Sequence, residues 1–238
     1  MRPLAILFDL GGTLVGGSDT REAFMSSVAS LVRLLRRRGF EVSESEVVRV
    51  RLRNRERFNL LRRTTLREVP GEVWMAEDLR SLGVEPSEEL VAEALRAHCE
   101  AILSHRFVYD DVPTSLRELA EAGVPMAVVS NVSTHWLAEE TLRRLGLSGF
   151  FKSVVTSAQV GWRKPHPSIF IKALEALGAK VSEAIFVGDD PVADIEGAKR
   201  LGLKAVLIER RPQRALAVVP PDLRINSLSS LVEALPSL

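Results

Sequence analysis

The chain has 238 residues, 46% of them apolar and 26% charged, with a formal net charge of +1 at pH 7, which suits one or two globular domains with a full-sized core. That balance gives no electrostatic reason to expect a nucleic-acid partner, and no apolar run approaches the ~18 residues of a membrane span. A single cysteine, Cys99, excludes an internal disulfide framework and a multi-cysteine metal site; the short LAILF stretch is no secretory signal, so a cytoplasmic location is expected.

Residues 4–9 (LAILFD) form a continuous apolar run ending in an acid, the pattern of a strand buried on both faces. The next hundred residues hold no comparable strand and read as helices. Phe24, Val28, Leu31 and Leu35 follow helical spacing up to Gly39, and Ser43 with Glu46 makes a capping box before a second helix. Pro70-Gly71 breaks the chain before a third helix ending near Gly83. Pro86-Ser87 opens a fourth, with Val91, Leu95, His98 and Ile102 on one stripe. Apolar runs then recur at 124–130, 152–156, 183–189 and 204–208, separated by helical segments at 116–122, 134–145, 167–177 and 193–201. Gly123, Gly146, Gly178 and Gly202 stand where helices end. This alternation predicts an α/β fold with a doubly wound parallel sheet. The expected division is a core of residues 1–15 and 108–238 with a helical module inserted over 16–107.

Of the 32 basic residues six are lysine, and Arg33 to Arg67 contains twelve arginines against four glutamates. A solvated, ion-paired helical surface is the expectation there. In a helix Arg49, Arg53 and Arg57 share one face, and Arg51 and Arg55 another. No stacking aromatics are interleaved, so nucleic acid is not the expected partner; such a field suits recruitment of a small anionic substrate.

The strand ends carry the chemistry. Asp9 closes the first and leads into Gly11-Gly12-Thr13. The second ends in Ser130-Asn131, the third is followed by Arg163-Lys164-Pro165, and the fourth ends in Gly188-Asp189-Asp190 with Asp194 soon after. Parallel topology brings all four ends to one edge of the sheet, where ligands bind in open α/β folds. Carboxylates gathered there repel unless cations separate them. Lysine and a divalent metal answer that need, and hard oxygen ligands favour magnesium over zinc.

The segments FDLGGTL, VVSN, RKPHPSIF and FVGDDPVADIEGAKRLG resemble, in order, the four motifs of the haloacid dehalogenase superfamily. The likeness covers residues 1–15 and about 108–210, and the helical insert is similar to that family's cap. The resemblance implies an Mg²⁺-dependent hydrolase of small phosphorylated metabolites. Asp9 would attack phosphorus and form an aspartyl-phosphate. Asp9, the Gly11 carbonyl and Asp189 would hold Mg²⁺, with Asp190 or Asp194 reaching it through water. Ser130 and the Asn131 backbone N–H would grip the phosphoryl oxygens, with Gly12 and Thr13 in the same substrate-binding set. Lys164 would neutralise charge on both Asp9 and the phosphoryl group.

One departure stands out. Phosphatases of that family usually carry a second aspartate two residues after the nucleophile, as the acid that protonates the leaving oxygen; here Gly11 occupies the place. Three readings follow: a phosphohydrolase for leaving groups that need little protonation, such as acyl or aryl phosphates; a 2-haloacid dehalogenase, whose relatives lack both that aspartate and the metal pattern; or a protein that binds without catalysis. His135 is a candidate replacement acid, though its expected role is an exposed helix start. His98 and Trp74 are expected within the helical module, Trp136 and Trp162 as packing near the site, His166 as a loop residue positioning Lys164, and Cys99 as a small core residue. The oligomeric state is left open.

Overall fold

The computed structural model describes residues 5–210 and 219–235. Leu4, where the expected first strand begins, lies outside them. The strands are β1 (Ala5–Phe8), two-residue β2 (Val15–Gly16) and β3 (Phe107–Val108), β4 (Met126–Ser130), β5 (Ser153–Thr156), β6 (Ala184–Gly188), β7 (Lys204–Ile208) and β8 (Leu223–Ile225). Six of them form a parallel sheet in the order β5-β4-β1-β6-β7-β8, while β2 and β3 pair antiparallel by themselves. The expected α/β class and parallel sheet are therefore present.

The continuous apolar runs have a direct physical origin. Successive side chains in a strand point to opposite faces. Ile6 and Phe8 enter one core with Val128, Ile185, Val187, Val206 and Ile208. Ala5 and Leu7 enter a second core on the other face with Ala127, Val129, Phe186, Ala205 and Leu207. A strand that serves two cores has no polar alternation to show.

The chain divides into two compact units, Met1–Gly16 with Phe107–Leu238, and Gly17–Arg106. The second is helical: α1 (Arg21–Arg37), α2 (Glu44–Thr65), α3 (Gly71–Ser81) and α4 (Glu88–Leu103). Ser43 and Glu46 complete the expected capping box at the start of α2. The arginine ladder is split. Arg49, Arg53, Arg55 and Arg57 are exposed, but Arg51 is buried, with its guanidinium near Asp78 (3.6 Å) and hydrogen-bonded to Ser27 (3.3 Å) and His98 Nδ1 (3.1 Å). A solvated surface is thus the wrong description for that one residue, because its neighbours on α1, α3 and α4 supply polar partners.

In the first unit the helices are α5 (Val112–Glu121), α6 (His135–Arg144), α7 (Ser157–Val160), α8 (Pro167–Leu177), α9 (Gly197–Leu201) and α10 (Leu228–Ala234). The helix expected over 193–201 is instead a π turn, Pro191–Glu196, running into α9. The short strands β2, β3 and β8 and helix α10 were not anticipated, since two- and three-residue strands carry too little periodicity to read. Among the described residues no helix is long and apolar enough to cross a membrane.

Candidate active site

β1 lies between β4 and β6, with Phe8 level with Val128 on one side and Val187 on the other. The chain fills the β4 side of the sheet first and the β6 side afterwards, so strand order reverses beside β1. The Asp9 carboxylate stands there, at the carboxyl ends of the strands, the edge at which open α/β sheets bind ligands.

Lys164 reaches this point from the loop between α7 and α8. Its ammonium lies 2.5 Å from Asp9 Oδ1 and 2.7 Å from Asp194 Oδ1, and it donates to the Val129 carbonyl at 2.8 Å. Lysine is almost never buried unless paired, and here the side chain is buried with two carboxylates and a carbonyl as partners. Burial works against the charge, but Asp194 and Asp9 outweigh it and hold the Lys164 pKa above its ordinary value.

Asn131 has a second task beyond the one its motif suggested. Its amide brackets the Lys164 backbone, donating Nδ2–H to the carbonyl (3.0 Å) and accepting the N–H at Oδ1 (2.8 Å). The residue after the β4 Ser130 thereby fixes the loop that delivers the lysine. Ser130 ends β4 with its side chain buried. His166 caps α8 by accepting the Ser168 N–H at Nδ1, and its ring stacks on Trp162 with centroids 3.9 Å apart.

Ligand oxygens of Asp9, Asp189 and Asp194 lie within 4.8 Å of one another. Burial, then the neighbouring Asp9 and Asp194 charges, push the Asp189 carboxyl up to about 8. Burial likewise raises Asp194, to about 7, although Lys164 opposes it. Three carboxylates around one ammonium leave an excess of negative charge in a confined space. An all-oxygen set with that surplus fits a hard divalent cation such as Mg²⁺. Asp190 stands apart from the cluster: it is exposed, its Oδ1 caps the following turn through the Val192 and Ala193 N–H groups (2.9 Å each), and its own N–H is held by Asp194 Oδ2 (3.0 Å).

The turn after Asp9 is shaped by glycine. Gly12 has φ +91°, and a Cβ there would overlap the Asp189 carboxylate. Gly11 is exposed, and a Cβ on it would meet nothing within 4 Å. The Thr13 hydroxyl is buried without a protein partner. His135 opens α6, but its ring is engaged by Thr156 Oγ1 (3.1 Å), Gln159 Nε2 (3.0 Å) and Glu139 (3.2 Å); it is half-buried rather than an exposed helix start.

A buried carboxylate just past the end of a central parallel strand, paired with a lysine from a later loop and faced by further acids just past the end of the next strand, defines a class of α/β hydrolytic site. A sequence profile of haloacid dehalogenase-like hydrolases matches residues 3–202, and the chain belongs to that family. It is similar to the glyceraldehyde 3-phosphate phosphatase of Methanopyrus kandleri, 41% identical over 134 residues, 56% of each chain. It also resembles the phosphoserine phosphatase of Thermus thermophilus, 38% identical over 150 residues, 60% of this chain and 59% of that one. The chain therefore spans little more than half the length of these curated relatives. Over nearly whole chains, a phosphatase structure from Thermococcus onnurineus matches with a TM-score of 0.69 and 27% identity, covering 98% of this chain and 97% of that one. A 2-haloacid dehalogenase structure from Pseudomonas syringae pv. Tomato matches with a TM-score of 0.74 and 25% identity, covering 99% of each.

Proposed function

We propose that this chain is an Mg²⁺-dependent phosphohydrolase of small phosphorylated metabolites that works through an aspartyl-phosphate on Asp9. The observation that carries the reading is the Lys164 ammonium seated between Asp9 and Asp194, with Asp189 beside them. The relatives named above act, by their names, on small phosphomonoesters, which supports the same substrate class.

The Lys164 ammonium holds the Asp9 carboxylate in place as the nucleophile, and its positive charge offsets the phosphoryl oxygens as they approach. Ser130, the Asn131 N–H and the unpartnered Thr13 hydroxyl are the groups offered to those oxygens, while the Gly12 N–H of the expected set is taken by the Val15 carbonyl at 2.7 Å. Asp9, the Gly11 carbonyl and Asp189 would hold the metal, with Asp194 behind them. When bound, the ion supplies Lewis-acid neutralisation of phosphoryl charge. The helical unit 17–106, which contributes none of the acids or the lysine, is proposed as the cap that selects the substrate. The dehalogenase reading draws on the likeness to the Pseudomonas structure and on Gly11. The Asp189–Asp194 pair weighs against it, since a halide leaves without needing a cation among carboxylates.

Phosphate release from a panel of sugar, acyl and aryl phosphates, with 2-chloropropionate alongside, separates these readings. Activity on phosphate esters that EDTA abolishes, and that Asp9→Asn and Asp189→Asn each remove, is the expected result. Full turnover without metal, or chloride release alone, would overturn it.

A further inference from the structure

Behind the turn that follows Asp9 sits an ion pair outside all four motifs. Arg210, two residues past β7, grips Asp111 with both terminal nitrogens (2.8 and 3.0 Å). Its third donor, Nε–H, points to the Thr13 carbonyl at 2.8 Å. Asp111 also accepts the Leu228 N–H at the start of α10 (2.5 Å), and the Tyr109 ring centroid lies 4.1 Å from the guanidinium carbon. The Arg210 side chain is only 7% exposed. Burial disfavours the Asp111 carboxylate, but Arg210 and the Leu228 N–H outweigh that and hold its pKa below the ordinary value.

Fork-to-fork pairing fixes the guanidinium plane, so the remaining N–H has a set direction. The turn it meets is otherwise closed on itself: Gly12 N–H donates to Val15, and Leu14 and Val15 N–H groups both donate to Leu10. Among the described residues, two hydrogen bonds tie its carbonyls to later parts of the chain, Arg210 to Thr13 and the Tyr109 N–H to Leu14 (3.3 Å). The position of this turn matters chemically, because Gly12 approaches Asp189 too closely for any Cβ and follows Asp9 by three residues in the chain. We propose that Arg210 and Asp111 form a positioning pair that sets the Gly11-Gly12-Thr13 turn against the acidic cluster. The inference rests on the reading of Asp9 as the nucleophile. Lysine cannot replace Arg210, since one ammonium cannot hold two carboxylate oxygens and a carbonyl in that fixed fork.

The test compares wild type with Arg210→Ala, Arg210→Lys and the milder Asp111→Asn by amide hydrogen exchange and by steady-state hydrolysis of an aryl phosphate. In Arg210→Ala, exchange over residues 10–15 should accelerate about tenfold or more while β6 exchanges as before. The kcat should fall roughly ten- to a hundredfold with KM nearly unchanged, the cost of misplacing reacting groups. Added methylguanidinium should restore part of both in Arg210→Ala, and Arg210→Lys should not recover activity. Unchanged exchange over 10–15 overturns the proposal. So does a loss of activity that follows thermal stability across the variants without guanidinium rescue. Should the wild type release no phosphate, the phosphohydrolase reading fails, and the exchange measurement still decides the positioning role.

Discussion

Gly11 and Gly12 are neighbours with opposite tolerances, and the difference makes a sharp test at the level of single residues. Gly11 has open space around its missing Cβ and is not among the residues with positive φ, so an aspartate fits there without backbone strain. Gly11→Asp should restore a leaving-group acid and raise kcat/KM for alkyl phosphates by up to ~10²-fold, with a smaller gain for aryl phosphates. A stabilised phenolate needs little protonation, whereas an alkoxide needs it badly. Comparing kcat/KM for both ester classes in wild type and variant checks this; equal wild-type activity on both would mean that another group supplies the proton. Gly12→Ala should behave oppositely. Its Cβ must collide with Asp189 while the backbone sits at φ +91°, so phosphate release should fall to near background although the protein still folds.

Among the elements, α2 carries the clearest stability prediction. Arg51 and Asp78 are both buried, and burial lowers the pKa of the first and raises that of the second. Each needs the other, so Arg51→Met should cost about 3–5 kcal/mol by stripping the buried carboxylate of its cation and leaving it the Asn54 amide as partner. The double variant Arg51→Met/Asp78→Leu should cost markedly less, which urea unfolding can measure. His98 on α4 faces the same guanidinium, and burial, reinforced by Arg51 and Arg55, holds its pKa well below 6.5. A depressed histidine contributes stability that is present above its unfolded value and is lost as pH falls below about 6.5. The effect is read as a difference: between pH 7.5 and pH 5.5 the urea midpoint of the wild type should fall relative to that of His98→Gln, whatever the slope the rest of the molecule imposes on both. None of this pairing was legible in the sequence, where Arg51 looked like one rung of a solvated ladder. The strands were legible for the opposite reason: residues such as Ile6 and Leu7 serve two cores, and that duplicity leaves an unbroken apolar run. The acids and lysine at the strand ends could be placed together because parallel topology leaves them no other edge. Arg210 and Asp111 escaped notice because 99 residues separate them in the chain and neither sits in a recognisable pattern.

For the whole molecule, the acidic cluster sets how stability responds to pH and metal. Asp189 and Asp194 have pKa values raised to about 8 and about 7. A raised carboxyl binds more protons when folded, so its contribution is present below about pH 4 and disappears as pH climbs through these values. Metal-free protein should melt at lower temperature at pH 8 than at pH 5.5 on this account. Excess Mg²⁺ should raise the melting temperature more at pH 8 than at pH 5.5, because it binds the ionised cluster of the folded state; an equal shift at both would argue against the site. The antiparallel pair of β2 and β3 has a consequence of another kind. Gly16 lies opposite Phe107, so the segment from Gly17 to Arg106 leaves and returns at points only ~5 Å apart. A long excursion whose ends already meet is an insertion that the host chain scarcely registers, since loop-closure entropy grows only as the logarithm of length. Such a junction is a natural site for grafting: replacing 17–106 with a short glycine–serine linker should leave a parallel sheet that still folds, and whole modules could be exchanged there without disturbing β1 or its neighbours.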